Sequence, residues 1–190
     1  MIAYKIKVRG INMLYKTYYL SPLGKILLIS DEEKLKAVEL ETQRFHDKSV
    51  KEQTIIEEIP ILKDVEKWLD DYFKGEKVSC KTLPLAPEGS EFRKAVWEIL
   101  CDIPYGKTVT YGEIARQIAR QKGISSMSAQ AVGNAVGHNP ISIIIPCHRV
   151  VGSNGSLIGY GGGIQNKVKL LTLEKVDMTN LFVPTKGTAL

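Results

Sequence analysis

With 190 residues, 44% of them hydrophobic and 25% charged, the chain has the composition of a soluble globular protein of one or two domains and not of a disordered segment. No stretch approaches the roughly 18 uninterrupted apolar residues of a membrane span, and MIAYKIKVRGINMLYK has scattered charge in place of a signal-peptide core, so a cytoplasmic protein without membrane association is expected. The net charge of +5 is uneven: residues 1–87 carry 15 basic and 14 acidic groups, residues 88–190 carry 11 and 7, which fits a polyanion partner and equally a plain basic surface.

MLYKTYYL, KILLIS and LKAVELE are β-rich runs separated by the turn-forming SPLG and DEEK, so residues 13–41 read as an antiparallel meander. In IPILKDVEKWLDDYFKG, Ile61, Leu62, Val65, Trp68, Leu69, Tyr72 and Phe73 recur at helical spacing and Gly75 supplies a stop. Together these make a small domain over residues 1–87, with Trp68 in its core and His46 in a polar loop. TLPLAPEG, with Pro84, Pro87 and Gly89, reads as a linker.

A second domain, residues 88–178, starts with SEFRKAVWEILCDI, where Ser90 is a candidate N-cap and Phe92, Val96, Ile99 and Leu100 form one stripe, with Cys101 nearby expected to be buried. Thr110 and Glu113 have capping-box spacing for a helix that buries Ile114, Ala115, Ile118 and Ala119 and ends before Gly123. A third helix runs from about Ser128 to Gly137, ahead of Asn139-Pro140. Ala129, Val132 and Val136 form its apolar face, and Gln130, Gly133, Asn134 and Gly137 lie opposite. Each interior glycine costs a helix about 1 kcal/mol relative to alanine. A helix, a turn and a small-faced helix in a basic setting suggest a DNA-reading helix-turn-helix; tight packing within the domain is the other explanation. Residues 179–190 form a tail.

The run Ile143-Ile144-Ile145 reads as a buried strand stopped by Pro146, with Cys147 just past its end. A free thiol, of pKa about 8.5, needs a base or a positive field to become the nucleophilic thiolate. His148 and Arg149 follow at once, but adjacent side chains on an extended segment point to opposite sides, so His148 would act through a water or a bent backbone. A cysteine-histidine pair at a strand end also fits an inert cysteine. GSNGSLIGYGGG, residues 152–163, has six glycines in twelve positions and can bring backbone groups close to a planar ligand. The three cysteines, Cys80, Cys101 and Cys147, include no CxxC pair, so neither a disulfide framework nor a metal site is expected.

IPCHRVVGSNGSLIGYGGG, with GKTVTYGEIA and AVGNAVGHNP upstream, resembles the O6-alkylguanine-DNA alkyltransferases, or methylated-DNA–protein-cysteine methyltransferases, over residues 90–176. The resemblance implies an α+β chain: a small ribonuclease-H-like α/β N-terminal domain, then a mainly helical, winged helix-turn-helix-like alkyltransferase domain. It implies direct-reversal DNA repair, used once per molecule, without a cofactor, by a monomer acting on double-stranded DNA that contains O6-alkylguanine; whether O4-alkylthymine is also accepted stays open at this point. Cys147 would accept the alkyl group, His148 would take the thiol proton through a water, and Glu174 would orient the histidine. Asn139 would brace the segment. Tyr111 would help rotate the nucleotide out and protonate the departing guanine. Val150, Tyr160 and Gly161 would line the pocket, the Gly161 N–H serving O6. Gln130, Gly133, Asn134 and Arg149 are the expected DNA contacts, with Gln130 where relatives often carry an arginine that fills the gap left by the flipped base. Other classes are a damage-sensing module, which would lack the acceptor cysteine, and a cysteine hydrolase or redox sensor, which would need an oxyanion site or a resolving cysteine.

Overall fold

The computed structural model describes residues 13–43 and 54–185; His46 lies outside them. The expected meander is present as β1 (Leu14–Ser21), β2 (Gly24–Ser30) and β3 (Leu35–Leu40), and β4 (Thr54–Ile56) pairs parallel to β1, giving the sheet order β3-β2-β1-β4. Alternation along β2 serves two layers: Ile26 and Leu28 enter the main core, while Leu27 and Ile29 form a smaller cluster with Ala37 on the other face. Helix α1 (Pro60–Phe73) starts on a proline, which surrenders no needed N–H there, and ends ahead of Gly75 at φ +89°. It buries Ile61, Leu62, Val65, Trp68, Leu69 and Tyr72 against the sheet, and Trp68 is core.

The segment read as a linker is not loose. Leu35 N–H donates to Pro84 O and Ala86 N–H to Leu35 O, both at 2.9 Å, so the chain lies along the outer edge of β3. Further along the same edge Val38 N–H donates to Pro140 O and Ser142 N–H to Val38 O. One hydrophobic core runs from Tyr15 and Ile26 through Val96 and Leu100 to Ile145.

The caps of the following helices are local and match the sequence. Ser90 caps α2 (Glu91–Cys101), Thr110 and Glu113 close a reciprocal capping box on α3 (Tyr111–Lys122), Gly123 ends α3 at φ +63°, and Ser128 caps α4 (Ala129–Gly137). In α2 the inward face also includes Trp97, whose indole N–H donates to Ala135 O at 2.9 Å. Helices α3 and α4 pack on each other and on α2. Short strands β5 (Val109–Thr110) and β6 (Val150–Val151) pair parallel, and α5 (Ile164–Leu173) closes the domain. The tail is tied back at Phe182, by Leu157 N–H to Phe182 O and Phe182 N–H to Gly155 O.

Three expectations require correction. Ala129 is exposed, as are Ser128 and Gln130 beside it, and α4 buries Val132, Ala135 and Val136, so only its later turns reach the core. Cys101 is only half-buried; it meets Cys80, whose thiol lies 3.9 Å from Cys101 O. Residues 143–145 are not a strand. Ile144 N–H reaches Ser142 O across Ile143, at φ +72°, and Cys147 N–H reaches Ile145 O across Pro146, at φ −82° and ψ 61°. These are three-residue turns, the first of the strained kind. Burial alone, at 1% exposure for each isoleucine, does not distinguish a strand from a compact turn whose side chains all reach the core.

Candidate active site around Cys147

Two turns deliver the cysteine. Pro140 stops the chain from continuing α4, and Asn139 takes over the hydrogen bonding that a regular element would have supplied. Its Oδ1 accepts from Ile141 N–H at 3.0 Å, and its Nδ2 donates to Ile145 O at 2.8 Å and to Cys147 Sγ at 3.1 Å. One buried amide thus fixes the turn and its product. Cys147 opens a 3₁₀ turn, Cys147–Arg149, in place of an extended segment, so the backbone is bent at His148.

The thiol is 4% exposed. Burial pushes its pKa up, while the Asn139 donor, the Lys167 ammonium and nearby backbone N–H groups oppose that rise. His148 is fully buried, and burial holds the imidazole below its usual range despite the Glu174 partner. Glu174 follows the last turn of α5. Burial alone would raise its carboxyl, but hydrogen bonds and charge from His148 and Arg149 hold it well below the usual carboxylate range. An ionised carboxylate only accepts, so the 2.7 Å contact between His148 Nε2 and Glu174 Oε1 assigns the proton to Nε2. Nδ1 is then the basic lone pair, and it is buried with no protein hydrogen bond. Tyr160 OH is also buried and unpartnered, and its ring stands perpendicular to the imidazole at 6.3 Å.

Arg149 departs from expectation. It is 7% exposed, and its guanidinium grips Glu174 through Nε and Nη2, both at 2.9 Å, and Ile103 O through Nη1 at 2.6 Å. The bidentate geometry suits arginine, and the residue serves the carboxylate from inside the protein, not a DNA surface. The other basic residues between positions 103 and 149, Lys107, Arg116, Arg120 and Lys122, are exposed.

Tyr111 begins α3, and its hydroxyl donates to Ile158 O at 3.1 Å. Burial, and then the nearness of Cys147, push this phenol up, so it stays protonated. The glycine-rich loop closes over it: a Cβ at Gly159, where φ is +73°, would lie 2.4 Å from the Tyr111 oxygen. Gly133 of α4 faces the same ring, where a Cβ would lie 3.7 Å from it, while Gln130 and Asn134 are exposed on α4. Val150 is buried in β6 and Gly161 lies in the loop beside Tyr160. Cys147, His148, Glu174, Asn139, Tyr111, Val150, Tyr160 and Gly161 therefore cluster, with Gln130, Gly133 and Asn134 on the neighbouring helix.

Two residues of this cluster escape a reading by pattern. Lys167 is fully buried and its ammonium donates to Val150 O and to Ile158 O, tying β6 to the glycine-rich loop. Burial pushes its pKa down to about 8. A lysine on the inward stripe with Leu170, Leu171 and Glu174 was the available signal. Tyr72 of α1 counts as an apolar position in the helical pattern, yet its hydroxyl donates to Glu174 Oε1 at 2.8 Å. Among the described residues no cluster could hold a metal ion, and no helix is long and apolar enough to cross a membrane.

Known proteins resemble the chain in both of its halves. Residues 14–87 match the ribonuclease-like domain of 6-O-methylguanine DNA methyltransferase and residues 91–176 its DNA binding domain. The methylated-DNA–protein-cysteine methyltransferase of Haemophilus influenzae is 42% identical over 163 residues, 86% of this chain and 87% of that protein. That of Methanosarcina acetivorans is 44% identical over 161 residues, 85% and 98%. The crystal structure of the Mycobacterium tuberculosis O6-methylguanine methyltransferase superposes with a TM-score of 0.71 at 37% identity, covering 92% of this chain and 97% of that one. The same Mycobacterium protein in complex with DNA gives a TM-score of 0.71 over 86% and 93%. With both domains matched and relatives aligned over most of its length, the chain belongs to the methylated-DNA–protein-cysteine methyltransferase family.

Proposed function

We propose that the protein repairs O6-alkylguanine in duplex DNA by moving the alkyl group to Cys147, once per molecule, acting as a cytoplasmic monomer without a cofactor. The observation that carries this reading is the pairing of a buried thiol, held by Asn139, with a neutral imidazole whose Nε2 proton is committed to Glu174 and whose Nδ1 is unpartnered. Through one water, Nδ1 takes the Cys147 proton. The thiolate attacks the alkyl carbon in line, the S–C bond forms, and the C–O6 bond breaks with its electron pair passing to the guanine. Tyr111, kept protonated by burial, passes its proton to the departing base and regains one from solvent. The imidazolium releases the thiol proton to solvent through the same water, so that both residues end as they began. The product thioether has no leaving group, so turnover ends there.

A base inside a duplex cannot reach a sulfur this deep, and flipping it costs a few kcal/mol. The exposed Gln130 and Asn134 beside Gly133, with Arg116 and Arg120 on α3, suit entry into a minor groove only about 6 Å wide. Gln130 would fill the place of the flipped base. O4-alkylthymine offers the same alkyl carbon on an exocyclic oxygen and serves as the second substrate. Intact-mass analysis after incubation with an O6-methylguanine duplex tests the proposal: one methyl group per chain, mapped to Cys147, is expected, and Cys147→Ala still binds DNA. Continuous turnover, or methylation of Cys80 or Cys101 with Cys147 untouched, refutes it.

A further inference from the structure

We propose that Tyr72, from the N-terminal domain, is a positioning residue of the transfer reaction: its hydroxyl shares Glu174 Oε1 with the His148 imidazole and so sets how strongly that carboxylate pulls on the ring. The inference deepens the function proposed above and rests on it for its kinetic consequence. Three donors converge on Oε1, namely His148 Nε2 at 2.7 Å, Arg149 Nη2 at 2.9 Å and Tyr72 OH at 2.8 Å. The Tyr72 oxygen is also 3.4 Å from His148 Nε2. Two of the three donors come from the segment that follows Cys147, and the third comes from α1.

The ring is fixed in place. Tyr72 is fully buried, stacked on Trp68 at 5.4 Å and edge-on to Tyr105 at 6.1 Å and to His148 at 6.5 Å. Burial, then the Glu174 charge, push its phenol well up, so it is a permanent neutral donor. A donor on a carboxylate draws off negative charge and weakens the attraction between that carboxylate and an imidazolium. The charged and titratable groups facing His148 are Glu174, Arg149, Lys167, Cys147, Tyr160 and Tyr72. Arg149 and Lys167 disfavour a proton on the ring, and Glu174 favours it. Tyr72 tips this balance toward the neutral ring, the form in which Nδ1 accepts the thiol proton.

The test is Tyr72→Phe in the full chain, which keeps the ring and deletes one oxygen. Titration of the His148 imidazole by NMR should show its midpoint raised by about half a pH unit or more. The rate of benzyl transfer from free O6-benzylguanine should lose its acidic limb at correspondingly higher pH, with the alkaline plateau within about twofold of the parent. Leu69→Ala, one turn away on the same helix and directed at the core, should lower thermal stability without moving either midpoint. Coincident His148 titrations in the parent and Tyr72→Phe overturn the proposal, as does an equal displacement by Leu69→Ala. The NMR arm needs no alkyl transfer, so absence of transfer by the parent chain counts against the proposed function and leaves this arm to decide. If Tyr72→Phe does not fold, the parent decides: the Tyr72 Cζ resonance must follow the His148 titration, and a Cζ shift indifferent to it overturns the assignment.

Discussion

Asn139→Ala should disable the site through the backbone as much as through the sulfur. The substitution strips donors from Ile145 O and Cys147 Sγ and the acceptor from Ile141 N–H, all of them buried. Ile145 O keeps the Cys147 N–H, so Ile141 N–H is the buried backbone group left without a partner, at a cost of about 1–3 kcal/mol. For a chain of this size about 1 kcal/mol lowers the melting temperature by about 2–4 °C, and a central loss of about 2 kcal/mol lowers it by about 4–8 °C. Ile143, at φ +72°, adds to the effect, since a β-branched residue stays there only while its neighbours enforce it. At the sulfur, loss of one donor removes a group that opposes the rise of the thiol pKa. A donor worth about 0.5–1.5 kcal/mol then translates into benzyl transfer about two- to thirteenfold slower at neutral pH. Calorimetry and the pH dependence of reaction with O6-benzylguanine measure the two effects separately. A melting temperature lowered by less than about 2 °C together with an unchanged transfer rate would show that Asn139 braces nothing.

The remaining predictions address the base, the DNA face and acid stability. His148→Ala and Glu174→Gln should each slow transfer, and the double variant should be little slower than the slower single one, because the two act as a unit; additive losses in single-turnover rates refute the relay. Gln130→Ala should slow repair of duplex DNA far more than reaction with free O6-benzylguanine, and Gln130→Arg should tighten duplex binding and steepen its salt dependence by about one counterion. Equal effects of Gln130→Ala on duplex and free base would remove α4 from the groove. Acidification should destabilise the fold in two stages. The folded protein holds His148 below its ordinary value of 6.5, so the unfolded chain binds the extra proton as pH falls below 6.5, and stability drops until the folded midpoint is passed. Glu174 is held below its ordinary 4.5, so its contribution is complete above that value and is lost as pH falls further. Urea midpoints followed against pH should lose the first stage in His148→Gln and the second in Glu174→Gln.

What the sequence makes legible here is what hydrogen bonds over a few residues decide. Ser90, Thr110 with Glu113, Ser128 and Gly123 mark helix ends because their partners lie within three or four positions. Residue types bring Cys147 and His148 to attention before the fold is known, and the family resemblance adds Glu174. Long-range partners decide the rest. Arg149 looks like a surface cation until Glu174 and Ile103 O are placed beside it, 25 and 46 residues away. Tyr72 is indistinguishable from a core phenylalanine until α1 is laid against Glu174, across 102 residues. The isoleucine run misleads for a different reason: a fully buried segment has no exposed face, so alternation carries no information, and only Asn139 and Pro146 hint that the chain turns.

The stitching of the β3 edge has a thermodynamic consequence. A proline-rich connector normally marks where a chain can open, with one lobe melting while the other persists. Here that connector and the 140–142 segment both hydrogen-bond to β3, and the same apolar core passes beneath them. Undocking either lobe would expose that core and strand the N–H groups of Leu35, Val38 and Ser142 at once. These amides can therefore exchange with solvent only through an opening close in free energy to complete unfolding. The two lobes behave as one cooperative unit, and a perturbation at the far side of the sheet is felt as a change in the population of intact reactive sites, without any movement at the sulfur.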